Sequence, residues 1–164
     1  MRSSKIIFII LILIFLSTIS CNYNIAGTLG GGNTYRFNCN EEKLNYYLDS
    51  IEKYSPSLKT PKKWKKYDNW DATGYNFLKG KIFYIKGKEA KSDEMYYVTV
   101  IPPISKFDIY SGTAVRSIFR IFEDKLQWTL FEDLSEIERK EVEEKFQKKI
   151  LYRIPLKIVS KDKK

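Results

Sequence analysis

The side chains that could do chemistry are restricted in kind. The 164 residues contain no histidine, and the only cysteines are Cys21 and Cys39. Without imidazole there is no Ser-His-Asp or Cys-His catalysis, no His-ligated zinc and no imidazole pH switch. Two thiols are too few for a disulfide scaffold or a four-thiolate metal site. Paired acids can do general acid/base work. Glu132 and Asp133, however, are adjacent and stand at a helix start, where capping and the helix dipole account for them better. Asp68 and Asp71 supply too few oxygens for a calcium loop. Gly27, Gly30, Gly31 and Gly32 lack the Lys-Ser/Thr that completes a phosphate-binding loop.

One segment stands out for binding rather than catalysis. Between Lys59 and Trp70 lie five lysines (Lys59, Lys62, Lys63, Lys65, Lys66) and three large aromatics (Trp64, Tyr67, Trp70) in twelve residues. Lysines set up a diffuse positive field, while Trp and Tyr can sit at a membrane interface or stack on a ligand. Such a patch suits an anionic partner: lipid headgroups, polysaccharide or an acidic protein. The alternative is that the rings fill the core from a wrapping loop and the lysines are solvated. The whole chain is basic, with 29 Lys and Arg against 20 Asp and Glu for a net charge of +9, so local lysine enrichment has a background. Arg116, Arg120 and Lys125 could likewise form a cationic stripe on a sheet face or serve edge protection.

The elements that must position these groups follow from periodicity. Leu44, Tyr47, Leu48 and Ile51 mark one face of a helix from Glu41 to about Tyr54, with Asn40 as N-cap. Cys39 and Leu44 then occupy the two positions of a hydrophobic staple, a structural role for that thiol. Residues 55–79 show no period. Lys81–Ile85 and Met95–Ile101 read as a hairpin with a solvated tip over residues 86–94. Thr113–Phe122 and Lys125–Leu130 read as a second hairpin turning at Glu123-Asp124. Val115, Phe119 and Ile121 are expected on one face of it and Arg116 and Arg120 on the other, with Leu126, Trp128 and Leu130 inward. Ser135 and Glu138 form a capping-box pattern for a helix from about Glu136 to Lys149, with an apolar stripe of Ile137, Val142, Phe146 and Ile150. Leu156–Val159 is a candidate last strand. Helix, four strands, helix, strand implies an α+β fold: a two-layer sandwich of an antiparallel sheet of four to five strands with two helices on one face.

The first residues are an address. Arg2 and Lys5 precede an apolar run, Ile6–Leu16, of eleven residues, against about 20 for a membrane-spanning helix. The run ends in Ser17-Thr18-Ile19-Ser20-Cys21. Small-residue-then-cysteine at that boundary resembles the lipobox of bacterial lipoproteins, as in the small lipoproteins of the Bacteroidetes group, although Thr18 stands where leucine is usual. The resemblance implies cleavage before Cys21 and acylation of its thiol and new amino group, two or three chains that together hold a bilayer lastingly. The other reading is an ordinary secreted chain with Cys21 free or paired to Cys39. Asn22 in place of aspartate leans towards the outer membrane in a Gram-negative cell; otherwise the outer face of the cell membrane is expected.

The expected organisation is a removed signal over residues 1–20, a glycine-rich tether over 21–33, one domain over 34–160 and a charged tail over 161–164. The domain is expected to be a non-enzymatic binding or structural module in the envelope. It takes no cofactor or metal and meets no nucleic acid, since an exported chain encounters little of it. The alternatives are an inhibitor or immunity-type protein, and an enzyme acting on envelope material through carboxylates.

Overall fold

The computed structural model describes residues 30–70, 80–88, 92–103, 105, 109–122 and 125–162. Among these, six strands form one sheet: β1 (Thr34–Asn38), β2 (Gly80–Ile85), β3 (Glu94–Ile101), β4 (Tyr110–Phe122), β5 (Lys125–Leu130) and β6 (Ile158–Asp162). The order is β2-β3-β4-β1-β6 with β5 also on β4, and every strand pairing is antiparallel. Two helices complete the α+β fold, α1 (Glu41–Tyr54) and α2 (Glu136–Lys149). Both helix starts are made by the expected side chains. Asn40 Oδ1 accepts from the Lys43 N–H at 2.9 Å, and Ser135 with Glu138 closes a capping box. No helix among the described residues is long and apolar enough to cross a membrane.

Strand alternation sends successive side chains to opposite sides of the sheet. Tyr35, Phe37, Phe83, Ile85, Tyr96, Val98, Val115 and Ile118 share one buried cluster with Leu44, Leu48 and Ile51 of α1 and Val142 and Phe146 of α2. Cys39 and Leu44, the expected staple, are both in it. The residues between them, Ile82, Met95, Tyr97 and Phe119, form a second cluster with Trp64 and Trp70. The sheet therefore carries aromatic cover on the face that helix periodicity leaves open, and residues 59–70 supply it.

Several expectations need correction. β1, which the expected order of elements lacks, lies inside the sheet between β4 and β6. Its alternation of Tyr35 and Phe37 with Thr34, Arg36 and Asn38 has the strand period, but over only five residues between glycines and a helix cap. A bulge between Tyr97 and Val98 leaves Arg116 as the extra residue of β4: Val98 pairs with Val115, but Tyr97 pairs with Ser117. An inserted residue reverses the phase of everything after it. Val115 thus lies in the helix-side cluster and Phe119 in the other, not on one shared face. Ile137 is 75% exposed and drops out of the α2 stripe. In the expected solvated tip of the first hairpin, Asp93 is buried and accepts from the Tyr84 hydroxyl (2.6 Å) and the Gly87 N–H (3.0 Å). Lys161 and Asp162, read as tail, belong to β6, where Asp162 pairs with Arg36 of β1 at 2.6 Å. Gly31 and Gly32, read as tether, are buried. The signal, the lipobox and residues 21–29 lie outside the described residues, as do Asp71 and the Glu123-Asp124 turn.

Candidate functional site

Lys62–Tyr67 is a 3-10 helix. That helix has three residues per turn, so side chains three apart eclipse one another. The sequence Lys-Lys-Trp-Lys-Lys-Tyr has this period: Trp64 and Tyr67 form one ridge, Lys62 and Lys65 a second, Lys63 and Lys66 a third. The aromatic ridge faces the sheet. Trp64 meets Tyr84 and Phe119 edge-on, with ring centroids 5.5 Å away in each case, and Tyr67 lies 4.4 Å from Phe119. Beyond the helix, Trp70 stacks on Tyr97 at 4.3 Å, and the Trp128 indole N–H donates to the Tyr67 carbonyl at 2.9 Å. The three aromatics of the segment are thus taken up by the core.

All five lysines are exposed. Lys63 and Lys66 rest over the Trp64 and Tyr67 rings at 5.8 and 4.9 Å, which steadies their stems and leaves the ammonium groups outward. None of Lys62, Lys63, Lys65 and Lys66 forms an ion pair with a described residue.

The arginine stripe is not formed. Arg116, at the bulge, is buried and donates to Thr99 Oγ1 at 2.6 Å on the side of Tyr97. Arg120 lies on the other side and pairs with Glu138 of α2. Lys125 is exposed. Cys39 is buried, and burial pushes its thiol up, which disfavours a nucleophilic thiolate. Glu132, Asp133 and Asp68 are exposed. Among the described residues no group of three or more Cys, Asp or Glu could hold a metal ion.

A feature that sequence reasoning missed lies at the chain's entry to the domain. A groove of about 920 Å³ runs between α2 and the segment Gly31–Asn33, with Phe131, Arg139 and Gln147 on its walls. Glu143 of α2 is 5% exposed here. Its Oε1 accepts the Asn33 N–H at 2.8 Å, and its Oε2 accepts the Tyr35 hydroxyl. That hydroxyl accepts in turn from Gln147 Nε2 at 2.9 Å. Burial first, and the adjoining carboxylate second, drive the Tyr35 phenol far above its ordinary range. Alongside, the Gly32 N–H donates to the Val115 carbonyl at 2.8 Å. A Cβ on Gly32 would collide with Glu143 Oε1 and come within 3.1 Å of the Phe131 ring. Only glycine lets the chain pass this close. The signal was faint but present: Glu143 stands at the i, i+3, i+7 spacing with Phe146 and Ile150, a charged residue on the buried stripe.

A second carboxylate is buried near the same helix. Glu94 accepts from the Tyr96 hydroxyl at 2.9 Å and from Lys145 Nζ at 2.8 Å. Both act as internal ties, Glu143 through its two oxygens and Glu94 through Oε2. Compared with protein-family models, curated proteins and solved structures, the chain finds no match.

Proposed function

We propose that the protein is an envelope lipoprotein, attached through acyl chains on Cys21, whose domain is a non-enzymatic binding or structural module. Its frame is the two-layer sandwich, with α1 and α2 together on one face of the sheet. The observation that carries this reading is the clasp on the chain entering the domain. Gly32 is bonded to Val115 and Asn33 to Glu143, immediately ahead of β1, which lies inside the sheet. A pull from an N-terminal anchor would load a strand flanked on both sides, rather than peel an edge. That suits a domain carried on a lead following Ser20-Cys21.

The groove beside the clasp is a poor candidate for carboxylate catalysis, because Glu143 has both oxygens committed and Glu132 and Glu136 are exposed. In cells, replacing Cys21 with alanine is expected to abolish lipid labelling and detergent-phase partitioning. A Cys21→Ala protein that still fractionates with membranes would refute the anchor.

A further inference from the structure

Resting on the anchoring reading, we propose that the 3-10 helix Lys62–Tyr67 is a second membrane contact, its lysines docking on the anionic phospholipid headgroups of the bilayer that holds the acyl chains. At 120° per residue, a helix with Trp64 and Tyr67 pointing at the sheet sends its two lysine ridges about 60° to either side of the outward direction. Lys62, Lys63, Lys65 and Lys66 therefore straddle one outward line, and a flat anionic surface meets all four together. Local stability does not account for them. Lys62 and Lys63 sit in the first turn, where the helix dipole disfavours cations, and no described acid pairs with any of the four. The backbone is already held by the Trp64 contacts and by the Trp128 bond to Tyr67, so docking orders little that is not ordered beforehand.

Reach favours a bilayer over a soluble polyanion. The chain enters at Gly32, bonded to Val115 of β4, and the lysine helix covers Phe119 of the same strand. Four residues of strand separate them by about 13 Å. Gly31 packs on Arg116, whose guanidinium bonds Thr99, and strand alternation puts Thr99 on the side of Tyr97 and the lysine helix. Gly31 thus reaches towards the lysine side of the sheet, while Gly32 and Asn33 rest against Glu143 of α2. The nine chain steps from Cys21 to Gly30 can span at most about 32 Å. A domain of this size is about 35 Å across, so the lead is too short for the molecule to turn its lysine face away freely. With the rings buried, the contact is electrostatic and screened by salt.

The test is co-sedimentation of the full chain with phosphatidylcholine vesicles and with vesicles that also contain phosphatidylglycerol. Five chains are compared: the parent, a variant with Lys62, Lys63, Lys65 and Lys66 all changed to Gln, the same four changed to Arg, Cys21→Ala alone, and the Gln variant combined with Cys21→Ala. Each near-surface lysine contributes about fivefold to binding an anionic surface. The Gln variant should therefore lose roughly 600-fold in affinity for the anionic vesicles, with a flatter salt dependence and unchanged binding to phosphatidylcholine. The Arg variant should bind like the parent. The same gap between Gln and Lys chains in the Cys21→Ala background would show the lysine contact independently of the anchor, so each reading can fail alone. The proposal is overturned if the Gln variant binds anionic vesicles like the parent or loses neutral and anionic binding equally. Preferential lysine-dependent binding of soluble polygalacturonate over the vesicles would also overturn it.

Discussion

Position 32 concentrates the residue-scale argument. A methyl group there meets a buried carboxylate and an aromatic ring, neither of which can swing into solvent. Gly32→Ala should destabilise the domain by about 2 kcal/mol. Gly30→Ala should cost far less, because the atoms it meets belong to the exposed end of Glu132. Urea unfolding of both variants checks the contrast, and equal losses would contradict it. The two sites of the clasp should also couple: in a Glu143→Ala background part of the obstacle is gone, so Gly32→Ala should cost less than it does alone. Glu138 makes a separate prediction in pH. Its bonds to Ser135 and the Arg120 guanidinium hold its carboxyl at about 2, below the ordinary 4.5. A depressed folded value means stability that is present above about pH 4.5 and lost as pH falls towards 2. Glu138→Gln should therefore cost about 1 kcal/mol at neutral pH, and the gap from the parent should close near pH 2. A gap that persists in acid would show that the cap, and not the charge, carries the effect.

At the scale of elements, what could be read in advance depended on which periods were sought. α1 and α2 have strong caps and a 3.6-residue pattern, and their starts follow from Asn40, Ser135 and Glu138. β5 has a clean period of two, although Leu126, expected inward, is 40% exposed. The Lys-Lys-Trp-Lys-Lys-Tyr run has a period of three, which neither template detects, so it looked structureless while in fact specifying a 3-10 helix. β4 is legible as a strand but its faces are not, because nothing in the run from Thr113 to Phe122 announces that Arg116 is the bulge; the bulge is imposed by pairing with β3. Of the binding candidates, the lysines were legible and the clasp was not, since Asn33, Tyr35 and Glu143 meet only through the tertiary fold. The 3-10 helix depends on its aromatic ridge for order, because so short a helix has little stability of its own. Trp64→Ala should cost about 3 to 5 kcal/mol and raise proteolysis around Lys62–Lys66. Loss of the ring without local cleavage would mean that the backbone is held by other means.

For the molecule as a whole, the question is whether two cores on opposite sides of one sheet unfold together. β3 and β4 contribute alternate residues to both clusters: Tyr96 and Val98 to one and Met95 and Tyr97 to the other, and similarly Ile118 and Phe119. Neither core can dissolve without exposing strands that the other needs, which argues for a single transition. The chain supplies its own probes. All three tryptophans, Trp64, Trp70 and Trp128, belong to or pack on the second cluster, while the two helices cover the first. Tryptophan emission therefore reports one side of the sheet and the helical far-ultraviolet signal reports the other. In urea the two should give the same midpoint and the same slope. An emission change that precedes the loss of helical signal would mean that the aromatic cover, with its lysine helix, opens as a separate unit. The Gln variant of the lysine helix should leave both midpoints in place, because the four side chains it changes are exposed and removing their mutual repulsion is worth only a few tenths of a kcal/mol. A coincident shift of both curves by more than that would instead place the lysines within the cooperative structure of the fold.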